Sequence, residues 1–173
     1  MEGPATMSTT PVMNLADVRL QPRPSDYQPS GQAAERFDAR LARLGPLLGL
    51  KQLGCSVVAV PPRMRAFPFH SHRMDDELFI VLEGEGQLRL GEAVHPVKAG
   101  DVIGCPSGGP DTAHQLINTG TRELRYLAIS TQAPVEVCQY PDSGKLGVYA
   151  DLPTGSFYYM GRENGAVDYW DGE

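Results

Sequence analysis

Two histidines and a glutamate lie close together in one short stretch of the sequence, and a third histidine lies further along the chain. His70 and His72 are two residues apart, and Glu77 follows at the start of an apolar run. In extended backbone both imidazoles project to the same side, whereas a helix would separate them by about 200°. Pro68 disfavours a helix here. With His114, this set of nitrogen and oxygen donors suits a divalent transition metal.

Two longer motifs contain these residues and resemble the paired signature of the cupin superfamily. The matching positions are His70, His72, Glu77 and Gly84 in the first motif, and Gly100, Pro106, Gly108, His114 and Asn118 in the second. The sequence departs from the pattern twice. Met64 stands where the first motif begins with glycine, and five residues instead of two separate Gly108 from His114. The overall layout is similar to that of bacterial single-domain cupins of the cupin-2 type.

The resemblance implies a fold, a metal and its ligands. We expect an all-β jelly roll, also called a double-stranded β-helix. His70, His72, Glu77 and His114 are expected to bind one divalent transition metal ion (Mn, Fe, Ni or Zn). The motif spacing also permits Asp76 in place of Glu77, but counting back from Gly84 favours Glu77. The alternative is a cupin that keeps the motif and holds water in place of an ion.

Composition favours a single globular domain and argues against a nucleic-acid-binding or membrane-spanning protein. The chain has 173 residues, which fits one domain, and its 19 glycines and 15 prolines favour short strands joined by turns. Its net charge of −6 argues against nucleic-acid binding. No apolar run approaches the ~20 residues that cross a bilayer, and residues 1–14 contain no signal-like apolar stretch. Three widely spaced cysteines favour reduced thiols in a cytoplasmic protein.

The pattern along the chain predicts three parts within one domain. Residues 1–50 are predicted to be a proline-rich arm followed by one short amphipathic helix over Gln32–Leu48, packed on the barrel. Residues 51–140 read as the cupin barrel, with about eight short strands. A two-residue hairpin turn is predicted at Gly91-Glu92. Residues 141–173 are rich in aromatic side chains, which we expect in irregular segments that cover the core or a subunit contact.

The predicted strands are Cys55–Val60, Arg63–His72, Glu77–Leu82, Gly86–Leu90, Ala93–Val97, Asp101–Cys105, His114–Asn118 and Leu124–Ser130. Alternation along these strands places several apolar side chains on the same face as the predicted ligands. The side chains expected to line a small substrate pocket are Met64, Phe79, Val81, Leu116 and Tyr126.

The predicted site supports two hypotheses of different class. The first is a metal-dependent enzyme that acts on a small polar or anionic metabolite. Its reaction could be of the oxygenase, isomerase or lyase type. The second is a non-catalytic cupin that binds a sugar or small acid, favoured by the lack of a clear general acid or base apart from Tyr126 or Asp111. A sensory subunit of a regulator ranks third. In each case a homodimer is expected, because the resemblance implies pairing through an edge strand or the N-terminal arm.

Overall fold

A computed structural model describes residues 9–173. Residues 1–8, the start of the predicted arm, lie outside the described residues. Within residues 9–173 the regular structure consists of short strands and 3-10 turns, so the all-β prediction is confirmed. The strands are β1 Gln21–Pro22, β2 Arg40–Arg43, β3 Leu53–Val60, β4 Ser71–His72, β5 Glu77–Glu83, β6 Glu85–Leu90, β7 Ala93–Lys98, β8 Val102–Cys105, β9 His114–Ile117, β10 Leu124–Thr131, β11 Val135–Tyr140, β12 Lys145–Leu152 and β13 Gly155–Arg162. The 3-10 turns are Leu15–Asp17, Ser25–Tyr27, Gly31–Ala33, Pro110–Thr112 and Glu163–Gly165.

The strands form three antiparallel sheets. A six-stranded sheet has the order β1-β2-β3-β10-β5-β8, a four-stranded sheet has the order β13-β12-β11-β4, and a three-stranded sheet has the order β7-β6-β9. An isolated bridge between His70 and His114 joins the two smaller sheets, with a backbone hydrogen bond in each direction. The smaller sheets therefore act as one layer across the core from the six-stranded sheet.

Alternation along the strands builds the core between these layers. Tyr126 on β10 lies opposite Val58 on β3 and Val81 on β5, and all three side chains are buried. The same cluster includes Leu88 and Leu116 from the three-stranded sheet. Glu77 is in register with Ser130 on β10, four residues after Tyr126. Because every second residue of a strand projects to the same face, Glu77 and Tyr126 lie on the same face of the sheet.

A buried asparagine of the second motif fixes the connection from β9 to β10. The Asn118 amide donates to the carbonyls of Val60 and Arg122, at 2.8 Å each, and its oxygen accepts from the Gly120 N–H at 3.0 Å. These three bonds satisfy backbone groups that the turn would otherwise leave unpaired. Asn118 thus anchors the end of the strand that begins with His114.

The amphipathic helix predicted over Gln32–Leu48 is wrong. The regular structure over this range is the end of the 3-10 turn Gly31–Ala33 and strand β2, whose residues Arg40–Arg43 pair antiparallel with β3. The apolar spacing favoured a helix locally, but pairing with the edge of β3 satisfies the backbone of β3 as well as that of β2. Long-range strand pairing therefore outweighs the local helical pattern.

Two further segments differ from the sequence prediction. The strand predicted over Arg63–His72 is reduced to isolated bridges at Arg65 and His70 and to β4, because Pro68 within this segment has no N–H to donate. The C-terminal region, expected to be irregular, contains the β12–β13 hairpin. The hairpin turn at Gly91-Glu92 is confirmed, since Leu90 pairs with Ala93 and Gly91 has φ of +54°. Within residues 9–173, no helix is long and apolar enough to span a bilayer.

Candidate metal centre

The three histidines reach one point because their backbones are hydrogen-bonded to one another or to shared neighbours. The His70 N–H donates to the His114 carbonyl at 3.2 Å, and the His114 N–H donates to the His70 carbonyl at 2.8 Å. His72 lies on β4, where it is in register with Cys138 on β11. The imidazole of His70 lies 4.9 Å from those of His72 and His114 between ring centres.

Glu77 reaches the histidines from the opposite sheet, as the first residue of β5. One oxygen, Oε2, lies 2.7 Å from His114 Nε2, 3.5 Å from His72 Nε2 and 4.0 Å from His70 Nε2. Each of the four side chains offers a donor atom, and these atoms all lie within 4.8 Å of one another. The structure therefore brings together all four residues that the sequence predicts as ligands.

The four donors fit a single transition-metal ion. Metal–ligand bonds near 2.1 Å put neighbouring ligand atoms about 3 Å apart and opposite ones about 4 Å apart. The separations from Glu77 Oε2, 2.7 to 4.0 Å, span this range. Small side-chain movements would bring all four atoms to bonding distance, and four protein ligands leave positions open on a five- or six-coordinate ion.

The Nδ1 atoms of His70 and His114 face backbone carbonyls and that of His72 faces the Cys138 thiol, so that each Nε2 points to the centre. His70 Nδ1 lies 2.8 Å from the Pro68 carbonyl, and His114 Nδ1 lies 3.3 Å from the Thr112 carbonyl. His72 Nδ1 lies 3.4 Å from Cys138 Sγ. Hydrogen bonds of this kind fix the tautomer and leave the Nε2 lone pair free for a metal. Thr112 belongs to the segment between Gly108 and His114, which is three residues longer than the motif, so this lengthened segment supports a ligand.

Burial and mutual contact shift the pKa values within the cluster in opposite directions. Burial, with the nearby His114 and His72, lowers the pKa of His70 to about 4. Burial also opposes the charged form of His114, but hydrogen bonds to Cys105 and Glu77 outweigh it and raise its pKa. The pKa of Glu77 is lowered, because the hydrogen bond from His114 and the adjacent histidines outweigh its burial. His70 thus presents a neutral ring, while the contact with Glu77 favours the charged form of His114.

The neighbouring carboxylates do not enter the cluster. Asp76 is exposed, and its Oδ1 accepts from the Ser107 N–H at 2.7 Å. Asp75 Oδ1 accepts from the Ala133 N–H at 2.7 Å and from the Thr131 hydroxyl at 3.0 Å. Both residues therefore organise the loop before β5. Between the two candidates that the motif spacing allows, Glu77 is the one whose carboxylate faces the histidines.

A buried carboxylate behind His72 holds the segment between β4 and β5 in place. Glu136 is 6% exposed and accepts backbone N–H bonds of 2.6 to 3.2 Å. The donors are Arg73, Met74, Asp75 and Val137. Its Oε2 also lies 3.8 Å from His72 Nδ1. Glu136, Cys138 and His72 form a second group with metal-ligand chemistry, but the carboxylate is already engaged by these amides. We therefore interpret Glu136 as a support for His72.

The side chains predicted to line the pocket lie in the packed interior beneath the cluster. Phe79, Val81, Leu116 and Tyr126 are buried in the hydrophobic core, and Met64 packs against that core. The Phe79 ring lies 5.7 Å from the His114 ring and 5.5 Å from the Tyr126 ring, between centres. These side chains form the floor of the site, and their contact with a substrate stays a prediction.

Sequence reasoning missed Tyr140 beside the site. Its ring stacks on His70 with 6.0 Å between centres and 17° between planes, and its hydroxyl lies 3.3 Å from that of Tyr149. Glu136, Cys138 and Tyr140 occupy alternate positions of β11, so all three face His70 and His72. The alternation in Val135–Tyr140 was the available signal, and it predicts a strand that the sequence analysis did not assign.

Comparison with known proteins supports the fold. Residues 56–130 match the family model described as Cupin domain. A crystal structure from Silicibacter pomeroyi, described as a sugar phosphate isomerase from a cupin superfamily, superposes with a TM-score of 0.74. It is 26% identical, and the match covers 93% of this chain and 98% of that one. Residues 56–130 of the chain form a cupin domain. The jelly-roll architecture expected from the motifs is therefore confirmed for this cupin.

Two curated relatives match this cupin over shorter stretches. Auxin-binding protein 1 of Arabidopsis thaliana is 33% identical over 84 residues, which is 43% of this chain. The oxalate-binding protein of Thermotoga maritima is 37% identical over 60 residues, which is 35% of this chain. The matches span 40% and 47% of the length of these relatives.

Glu136→Gln should loosen the segment that follows His72. The amide keeps the shape of the side chain but has one acceptor oxygen, and its NH2 would face backbone N–H groups. We expect faster amide exchange at residues 73–75 and a free energy of unfolding lower by about 2 kcal/mol. Hydrogen exchange with mass spectrometry and urea unfolding measure both. Glu92→Gln, in an exposed turn, is the control, and wild-type exchange in Glu136→Gln would contradict the role.

Proposed function

We propose that this cupin binds one divalent transition metal ion (Mn, Fe, Ni or Zn) through His70, His72, Glu77 and His114. We further propose that it is a metal-dependent enzyme acting on a small polar or anionic metabolite. The observation that carries the proposal is the convergence of three Nε2 atoms and one carboxylate oxygen within 4.8 Å, each ring oriented through its Nδ1. A purely structural cluster has no need of three imidazoles oriented in this way.

Sugar phosphates are the first substrate class to test. The Silicibacter pomeroyi cupin described as a sugar phosphate isomerase matches nearly the full length of both chains. Isomerisation of a sugar moves protons between neighbouring carbon and oxygen atoms, and it needs a polarised oxygen and a group that carries a proton. A bound metal ion would supply the first requirement by polarising a substrate oxygen.

Tyr140 is our candidate for the second requirement. Its ring lies against His70 at the edge of the centre, and burial raises the pKa of its hydroxyl above the ordinary value. The hydroxyl is therefore protonated at neutral pH and can donate a hydrogen bond to a substrate oxygen. Tyr149, in contact with it, can orient that proton.

The alternative function is binding without turnover. The Thermotoga maritima relative is described as an oxalate-binding protein, and a dicarboxylate can occupy two open positions of a metal ion without reacting. Glu136 and Cys138 contact His72, and Cys105 contacts His114, so these three groups support the ligands. Among the described residues, Tyr140 and Tyr126 are the further titratable side chains beside the cluster. Both have raised pKa values, chiefly through burial, and neither is a strong base at neutral pH.

We also propose that the cupin is a homodimer. Strand β13 lies at the end of its sheet, with a free edge among the described residues. The exposed aromatic side chains on and after it are Phe157, Tyr158, Tyr159, Tyr169 and Trp170. A long edge strand with exposed rings is a typical pairing surface, and a second copy would bury it. Light scattering should give twice the mass of one chain, and a monomeric mass would contradict this.

Metal content tests the central part of the proposal. Elemental analysis of the protein as isolated should find about one transition-metal ion per chain. His70→Ala and His114→Ala should each weaken metal affinity at least about 100-fold. Loss of a residue that only supports a ligand already weakens affinity by about 10- to 100-fold, and loss of a ligand itself should cost more. His95→Ala is the matched control, because His95 is exposed on β7. Protein without metal, whose chelated form takes none up, would refute the proposal.

A turnover assay separates the enzyme from the binding protein. The metal-loaded cupin is incubated with a panel of sugar phosphates, and products are followed by NMR. We expect that product formation stops after chelation and resumes when metal is restored, because a bound metal ion would polarise the substrate oxygen. The alternative predicts a thermal shift with oxalate and no product from any sugar phosphate. Product formation that persists after chelation would contradict both.

A further inference from the structure

The sheet that carries His72 continues past the metal centre into the β12–β13 hairpin. Residues paired directly across antiparallel strands project to the same face. Cys138, the register partner of His72, shares this face with Tyr140, which lies two positions further along β11. Tyr140 pairs with Lys145 on β12, and Lys145 pairs with Arg162 on β13. These three side chains therefore form one row across the sheet, on the face that holds the metal centre.

Measured contacts place this row beside His70 and show that it is open to solvent. The Tyr140 ring stacks on the His70 ring with 6.0 Å between centres, and the Lys145 ammonium lies 5.2 Å from the centre of the Tyr140 ring. The side chain of His70 is 14% exposed. Tyr149, whose hydroxyl lies 3.3 Å from that of Tyr140, is 37% exposed. One aromatic ring therefore separates the ammonium from a predicted metal ligand, along an accessible surface.

The two cations of the row have no carboxylate partner among residues 9–173. No Asp or Glu oxygen lies within 4.0 Å of the Lys145 ammonium or the Arg162 guanidinium, although the chain has 21 acidic and only 15 basic residues. The acids near them in sequence are engaged elsewhere, Asp142 in an ion pair with Arg89 and Glu163 by a side-chain amide. The positive charge at this end of the hairpin is therefore not neutralised by the described residues.

The donors of both cations are available to a ligand. Arg162 is exposed and donates one N–H to the Ser143 carbonyl, which leaves its other donors free. Lys145 is partly buried because its stem lies against Tyr140, and its ammonium makes no hydrogen bond within the described chain. Like charges directly opposite each other on paired strands destabilise a sheet. An anion that binds both groups removes this repulsion.

We propose that Lys145 and Arg162 bind the anionic group of the metabolite, a phosphate or a carboxylate. The planar fork of donors in arginine suits both groups, and lysine binds them as a point charge. Tyr140 then lies between the bound anion and the metal ion, and the anion site gives the centre its preference for charged metabolites. That the other end of the metabolite reaches the metal ion rests on the proposed function, whereas the anion site itself does not.

Titration calorimetry of the protein as isolated tests this site at low ionic strength, with inorganic phosphate, glucose 6-phosphate, glucose and oxalate as probes. Wild-type protein should bind both phosphates, and glucose at least about 10-fold more weakly. Lys145→Met keeps much of the stem over Tyr140 and removes the charge, and it should weaken phosphate binding about 10-fold. Lys98→Met is the matched control, because Lys98 is an exposed residue of β7 and its loss changes the net charge equally.

Further variants separate a binding role from a structural one. Arg162→Met should weaken phosphate binding about as much as Lys145→Met, and Lys145→Arg should retain most of the affinity. Because loss of one cation relieves the repulsion, the thermal midpoint of Lys145→Met without ligand should equal or exceed that of the wild type. A lower midpoint together with lost phosphate binding would indicate a structural role and contradict the proposal.

The remaining outcomes distinguish this site from the metal centre. If oxalate and not phosphate depends on Lys145, the anion is a carboxylate. Protein without metal that still binds phosphate through Lys145 would refute the metal centre and support the anion site. Wild-type protein that binds neither anion, or Lys145→Met that binds them like Lys98→Met, would overturn the anion site, whatever the metal content.

Discussion

The structure depends on a pair of backbone hydrogen bonds between two histidines. His70 and His114 are 44 residues apart in sequence, and their N–H and carbonyl groups exchange bonds of 3.2 and 2.8 Å. This bridge joins the three-stranded sheet to the four-stranded sheet. The contact that closes this layer also brings two imidazoles to one point. The centre is therefore built on paired strands, which hold side chains more precisely than free loops do.

The remaining donors approach from directions that the two layers impose. Glu77 begins a strand of the opposite sheet, so its carboxylate crosses the interior to meet the rings. Carbonyls of Pro68 and Thr112 orient two of the rings through Nδ1, and Glu136 ties down the backbone after His72. Each of the three histidines thus has a polar group beside it that restrains its ring or its backbone. This arrangement favours metal binding over a loose cluster of titratable groups.

The sequence predicted the parts of this arrangement that local spacing encodes. Two histidines at a spacing of two face the same way in extended backbone, and the period of the strands placed Phe79, Val81 and Tyr126 in the interior. Residues 32–48 were predicted wrongly, because their apolar spacing fits a helix while their partner, β3, lies elsewhere in the chain. Tyr140 was missed for a related reason. Alternation could have placed Tyr140 on a strand, but its contact with His70, 70 residues away in the sequence, is recorded by no local pattern.

The central claim is that four particular atoms coordinate one metal ion. X-ray absorption at the edge of the metal that copurifies with the protein tests this most directly. The account predicts a first shell of nitrogen and oxygen near 2.1 Å, outer-shell scattering from three imidazoles, and a loss of one imidazole in His72→Ala. A spectrum with sulfur from Cys105 or Cys138 in the first shell, or with fewer than two imidazoles, would contradict it.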